Sequence, residues 1–200
     1  MIPALAFDPI ISEIQRRQLP INNERKVAGR GRSIAFGIVN KRIRSPDYSR
    51  HCRDRSYLYK LLIEFARDHI PETLIWNSIQ VNQNYLCSPH TDKGNGGNSL
   101  VVGFGDYTGG QLVIEGTEHD IRHNPIIDNF TTNVHWVAPF QGNRYSLVFF
   151  HTPVDEQLPP PSVRLINDKY VFFRGDQAIY KTMKEHTKGY KANSNLLLNK

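Results

Sequence analysis

His90 and Asp92 stand two residues apart within Pro89-His90-Thr91-Asp92-Lys93-Gly94-Asn95. On an extended chain both side chains leave the same face, setting an imidazole beside a carboxylate. Such a pair supplies two of the three protein ligands of a non-haem Fe(II) centre, whose third ligand is a distant His and whose open positions serve co-substrate and oxygen. Alone, His-x-Asp is equally the polar end of a solvated loop, so the reading depends on a second half downstream. That half is His135, followed nine residues later by Arg144 in the apolar run Arg144-Tyr145-Ser146-Leu147-Val148-Phe149-Phe150. Arg144 and Ser146 share a strand face. A lone Arg opening a buried strand is costly unless a carboxylate or its equivalent pairs with it. A guanidinium and a hydroxyl together suit the far carboxylate of 2-oxoglutarate, with an internal ion pair as the alternative.

These residues need a rigid frame, and the rest of the chain supplies the signals for one. Residues 9–19 read as a small helix stopped by Pro20. The run Ser33-Ile34-Ala35-Phe36-Gly37-Ile38-Val39 reads as a strand between basic loops that carry Arg30 and Arg32 on one side and Lys41, Arg42 and Arg44 on the other. Leu58, Leu61, Leu62 and Phe65 follow helical spacing over residues 55–69, and Pro71 closes that helix. From residue 75 the pattern becomes short apolar runs at 79–86, 99–104, 111–115, 134–137 and 145–150, broken by Gly94-Asn95-Gly96-Gly97 and Gly109-Gly110. Many short strands at this spacing predict an α+β, mainly β protein built on a jelly roll, with N-terminal helices packed outside the sheet. Past His151 the Pro-rich stretch 153–161 is expected to leave the core, followed by a short strand at 170–173 and a Lys-rich helix over 176–188.

The 200 residues suffice for one domain with its own core, and no apolar run approaches a membrane span. The first ten residues lack the cationic flank of a secretory signal. Cys52 and Cys87 are the only cysteines, too few for a disulfide framework or a Cys-rich zinc site, which points to an intracellular protein. The net charge of +6 is uneven. Residues 25–55 hold ten Lys/Arg against two Asp, residues 71–158 three against nine Asp/Glu, and residues 159–200 eight against three. A basic flank beside a site suggests a polyanionic partner, although a solvated tail accounts equally well for the last segment. His119 and His123 fall in a polar loop, and no metal role is expected of them.

Over residues 79–151 the chain resembles the Fe(II)/2-oxoglutarate-dependent dioxygenases, and among them the TET/JBP nucleic-acid base hydroxylases. The likeness rests on Val81-Asn82-Gln83-Asn84, on residues 89–95, on Asn98-Ser99-Leu100-Val101-Val102, on Gly105-Asp106-Tyr107-Thr108-Gly109-Gly110-Gln111-Leu112, and on the Arg144 strand. It implies a double-stranded β-helix of cupin type with His90, Asp92 and His135 as iron ligands. Arg144 and Ser146 would hold 2-oxoglutarate; Asn84 and Tyr85, just before the site, are placed to line its pocket, with a core position equally open to Tyr85. Asn95 would contact the target base. His151 stands one residue before the place of a second base-contacting His. AlkB-type repair enzymes match less well, since Phe150 occupies the position of their second strand Arg.

The resemblance further implies O2 as oxidant, succinate and CO2 as products, and ascorbate as a candidate reductant. It divides the chain into a catalytic domain over 1–158, with a helical, basic support over 1–74 and a jelly-roll core over 75–158, and a basic extension over 159–200. With two cysteines these residues hold no Cys-rich zinc region. Grip on DNA would then fall to the core, with Arg30, Arg32 and Arg42 as phosphate contacts. Hydroxylation of a methyl group on 5-methylcytosine or thymine is the leading reading. Hydroxylation of a protein side chain or a metabolite, favoured by the acidic middle, and a non-enzymatic nucleic-acid-binding role are the alternatives. Nothing in the sequence specifies an oligomeric state.

Overall fold

Pro9 in the first helical turn, where its missing N–H costs nothing, helps start α1 (Asp8–Arg16) directly after a 3-10 turn, Ala4–Phe7. The computed structural model describes residues 1–21, 29–41, 44–155 and 157–180. The helix stops at Arg16 rather than Leu19, which is fully buried in the segment that follows. Next come β1 (Gly29–Lys41), β2 (Arg44–Tyr48), α2 (Arg50–Asp54), capped by the Ser49 hydroxyl on the His51 N–H, and α3 (Ser56–His69). The second half is strands: β3 (Ser78–Cys87), β4 (Ser99–Gly109), β5 (Leu112–Ile114), β6 (Thr117–His119), β7 (Ile126–Asp128), β8 (His135–Val137) and β9 (Phe140–Phe150). Three more close the described chain: β10 (Pro161–Ile166), β11 (Lys169–Arg174) and β12 (Gln177–Ile179). Among the described residues no helix is long and apolar enough to cross a membrane.

The strands form a six-stranded antiparallel sheet in the order β2-β1-β3-β9-β4-β7, faced by a small sheet β6-β5-β8. This is the jelly roll expected from the spacing of the apolar runs, in the double-stranded β-helix form that the resemblance implied. Strand alternation sorts the two faces of the large sheet. On β9, Tyr145, Leu147 and Phe149 turn outward into the core shared with α1 and α3, where Phe7 stacks on Phe104 at 4.6 Å and Phe36 on Tyr59 at 5.5 Å. The even-numbered Arg144, Ser146, Val148 and Phe150 turn inward and line a pocket between the sheets. A smaller apolar cluster, Val101, Leu112, Ile114, Ile121 and Phe130, closes the far side of that pocket.

Three expectations need correction. Arg30 and Arg32 were expected in a loop, yet they lie inside β1, whose pairing with β3 extends past a bulge at Gly31. There the φ of +142° and a backbone oxygen 2.4 Å from any added Cβ leave room only for Gly. The stretch 153–161 does not leave the core, since Val154 and Leu158 pack against it, and the chain beyond it returns as well. Strands β10-β11-β12 form their own sheet, Phe172 is buried in the main core, and the Tyr48 hydroxyl donates to the Pro159 carbonyl at 2.8 Å. Tertiary burial of Val171, Phe172 and Phe173 outweighs the proline-rich lead-in. Of the helix expected over 176–188, residues 177–179 form β12, and residues 181–188 lie outside the described residues.

Phe172→Ala is expected to lower the unfolding free energy by about 3–5 kcal/mol, the usual cost of emptying a buried aromatic site. Urea unfolding would read this as a lower midpoint at unchanged slope. A shift below about 0.5 kcal/mol would mean that the C-terminal sheet is not part of the cooperative unit.

Candidate metal centre

His90 lies just beyond β3 and reaches β8 through an isolated antiparallel bridge. Its N–H donates to the His135 carbonyl at 3.1 Å, and the His135 N–H returns a bond to the His90 carbonyl at 2.9 Å. This exchange holds the two rings 4.3 Å apart between centroids. Asp92 is fixed by its own N–H on the Phe130 carbonyl at 2.8 Å. Asp92 and His90 therefore converge through a pinned loop rather than on one face of a regular strand.

Each imidazole is also oriented from behind. Nδ1 of His90 lies 2.8 Å from the Ser88 carbonyl, and Nδ1 of His135 lies 3.1 Å from the Asn133 carbonyl. A carbonyl only accepts, so Nδ1 carries the proton in both rings and Nε2 keeps its lone pair. Those Nε2 atoms stand 3.7 and 3.9 Å from the Asp92 carboxylate, and the three donor atoms lie within 4.8 Å of one another. Burial pushes the His135 imidazole below its ordinary pKa, favouring the neutral form that ligates. Two neutral imidazoles and one carboxylate fit an Fe(II) ion with open positions.

Arg144 sits further into the same pocket, 2% exposed. Its Nε donates to the Gly110 carbonyl at 3.0 Å, and Tyr107 and Phe140 flank the guanidinium at 5.6 and 5.8 Å. Gly110, at a φ of +70°, leaves space that a Cβ would take, 2.9 Å from Arg144 Cδ. Among the described residues no carboxylate pairs with Arg144, and burial lowers its pKa. The internal ion pair considered for it is absent among those residues. A buried cation with open donors at the end of a pocket fits the distal carboxylate of a dicarboxylate co-substrate. Ser146, two residues along β9, lines the same wall.

The space between the sheets, about 730 Å3 counting the part open to solvent, carries the three ligand residues and Arg144 on its walls. Tyr85 and Asn95 line it beside the ligand residues, and Cys87, whose thiol burial pushes up in pKa, stays a neutral neighbour. His151 lies against Gly96 rather than in the pocket lining. The pocket opens into a broad groove bordered by α2, β11 and the loop after His90. Arg50, Arg53, Lys93 and Arg174 line that groove, and Arg50 and Lys93 are exposed. Arg30 is exposed outside the groove, Arg32 spends a guanidinium nitrogen on the Leu19 carbonyl at 2.7 Å, and Arg42 lies outside the described residues. Gln80 and Phe130 line the pocket without having been singled out in the sequence. Gln80 stands between apolar Ile79 and Val81, which marks the face it takes on β3 but not its place in the pocket.

No family model and no curated protein matches the sequence. Among solved structures, NgTET1 in complex with 5mC DNA aligns over 76% of this chain and 69% of its own, at 14% identity and a TM-score of 0.55. A 2OG-Fe(II) oxygenase family oxidoreductase from Burkholderia pseudomallei aligns over 78% of this chain and 86% of its own, at 20% identity and a TM-score of 0.49. A Pseudomonas putida prolyl-4-hydroxylase aligns over 76% and 89%, at 16% identity and a TM-score of 0.46. The likeness to NgTET1 shows a shared fold.

Calorimetric titration with Fe(II) or Mn(II) under anaerobic conditions is expected to find one tight site per chain. His90→Ala, Asp92→Ala and His135→Ala should each weaken it by at least about a hundredfold, since each removes one of only three protein ligands. Wild-type affinity in any of the three would remove that residue from the centre.

Proposed function

We propose that the protein is an Fe(II)- and 2-oxoglutarate-dependent dioxygenase that hydroxylates the methyl group of a nucleic-acid base, 5-methylcytosine or thymine in DNA. The observation that carries the enzyme class is Arg144, a buried guanidinium without an acid among the described residues, set in the pocket that holds His90, Asp92 and His135. A bare metal site would not need it. A co-substrate with one carboxylate end free of the metal would. When bound, Fe(II) with 2-oxoglutarate and O2 supplies the oxidant for an unactivated C–H bond and releases succinate and CO2.

This chain's own residues do the rest. His90 and His135 present lone pairs held in place by the Ser88 and Asn133 carbonyls. Arg144 and Ser146 fix the far end of the co-substrate, which orients its reactive end toward the metal. Val101, Leu112, Phe130 and Val148 keep the pocket dry on one side. The groove outside supports the choice of a polyanionic substrate, because Arg50 and Lys93 stand exposed along it, while Arg53 and Arg174, which also line it, pair with Asp54 and Asp47 at 2.8 Å. A duplex would bind through its phosphates there, and the target base would leave the stack to reach the pocket, at a cost of roughly a few kcal/mol.

Incubation with Fe(II), 2-oxoglutarate and duplex DNA carrying 5-methylcytosine, followed by nucleoside mass spectrometry, is expected to give hydroxymethylcytosine, or hydroxymethyluracil from thymine. The product should vanish in His90→Ala. Arg144→Ala should keep the metal and lose about a hundredfold in affinity for 2-oxoglutarate, the scale set by breaking a buried charge pair. Succinate without a modified nucleoside would move the substrate to RNA, protein or a small molecule. No succinate at all would overturn the enzyme class.

A further inference from the structure

The pocket-facing side of β3 carries a file of side-chain amides. Gln80 Nε2 donates to Asn82 Oδ1 at 3.4 Å, and Asn82 Nδ2 donates to Ser146 Oγ at 3.1 Å, across the directly opposed pair Asn82 and Ser146. Gln80, His90, Asp92, Asn95 and Phe150 line both the inner pocket and the outer groove. The file therefore begins at the throat, where substrate must arrive, and ends beside Arg144.

Such a file has a direction, because each carboxamide has one donating end and one accepting end. A carboxylate held by Arg144 only accepts. Ser146 has a single proton, which it can give to that carboxylate only if its oxygen accepts from Asn82. Asn82 must then turn its oxygen to Gln80, and Gln80 must answer with its nitrogen. Gln80 Nε2 keeps a second hydrogen, and the opposite end of the amide, left to the throat, is the acceptor Oε1.

Building on the base-hydroxylase reading above, we propose that Gln80 selects the base. The co-substrate carboxylate, acting through Ser146 and Asn82, sets the free end of Gln80 as a hydrogen-bond acceptor toward the substrate. The throat then favours a base with an N–H donor beside its methylated carbon. Cytosine presents its N4 amino group there, whereas thymine presents the O4 acceptor and would set two lone pairs against each other.

Gln80→Glu and Gln80→Leu separate this from a merely structural role. The carboxylate of Gln80→Glu offers only acceptors, so Asn82 reverses and takes the Ser146 proton. Binding of 2-oxoglutarate, read by anaerobic calorimetry with Mn(II) in the site, is expected to weaken about tenfold in Gln80→Glu, the scale of one lost bond to a charged group. Gln80→Leu should change it by less than about threefold, and in an Asn82→Ala background the Gln80→Glu effect should disappear. Duplexes carrying one 5-methylcytosine or one thymine at the same position then compete in one reaction. Wild type should favour methylcytosine about tenfold or more, Gln80→Glu should keep that preference, and Gln80→Leu should bring it near unity. Equal effects of the two variants on 2-oxoglutarate affinity, or an unchanged base preference in Gln80→Leu, would overturn the proposal. If wild type binds 2-oxoglutarate but modifies neither base, the base-hydroxylase reading fails and the selection of a base with it. The two affinities then decide the amide file alone.

Discussion

Burying the Arg144 guanidinium with no carboxylate beside it among the described residues is the constraint on which the rest of the pocket depends. Removing an unpaired charge from water costs several kcal/mol. The chain offsets only part of this, with one carbonyl from Gly110 and the faces of Tyr107 and Phe140. The Gly109-Gly110 turn, both residues at positive φ, gives the side chain its space and brings that carbonyl to it. A bound dicarboxylate would complete the pairing, so stability and co-substrate binding are linked in the proposed enzyme.

The metal ligands obey a different constraint. Three donors must meet within a few ångströms although two come from a loop and one from a short strand. The reciprocal backbone bonds between His90 and His135 accomplish this before any ion arrives, and the Ser88 and Asn133 carbonyls choose the tautomer. Backbone hydrogen bonds thus define which nitrogen faces the metal, as outer partners of ligating histidines generally do. The centre stays preorganised because each ligand residue is held by backbone carbonyls and N–H groups rather than by the ends of other side chains.

The large sheet connects the two. Alternation along β9 sends Tyr145, Leu147 and Phe149 into the helical core and Arg144 and Ser146 into the pocket. A one-residue slip of β9 against β3 would exchange these faces entirely. The packing of α1 and α3 on the outer face therefore also holds the register that sets Asn82 opposite Ser146. The basic groove belongs to a second layer, assembled from α2, the loop after His90 and β11. Of the basic residues between 25 and 55, Arg55 and Arg32 are spent on backbone carbonyls; of the two that line the groove, Arg53 pairs with Asp54 and Arg50 is exposed.

The types, order and spacing of His90, Asp92, His135, Arg144 and Ser146 were legible in the chain, because ligand chemistry is a local property, and the two-residue strand period set Arg144 and Ser146 on one face. So were α3, from its four apolar positions, and the core strands, from their short apolar runs between glycines. The sequence alone also marked residues 25–55 as basic. Tertiary structure decided what depends on long-range pairing. It set the convergence of His90 on His135, the lack of an acid beside Arg144 among the described residues, the turning of Arg32 away from the groove, and the return of Phe172 to the core. Gln80 belongs with these. As a polar residue in a strand it is unremarkable, and its place at the throat follows only from the register of β3 between β1 and β9. Local patterns specify which face a side chain takes, whereas the partner across that face is chosen by pairing between segments far apart in sequence.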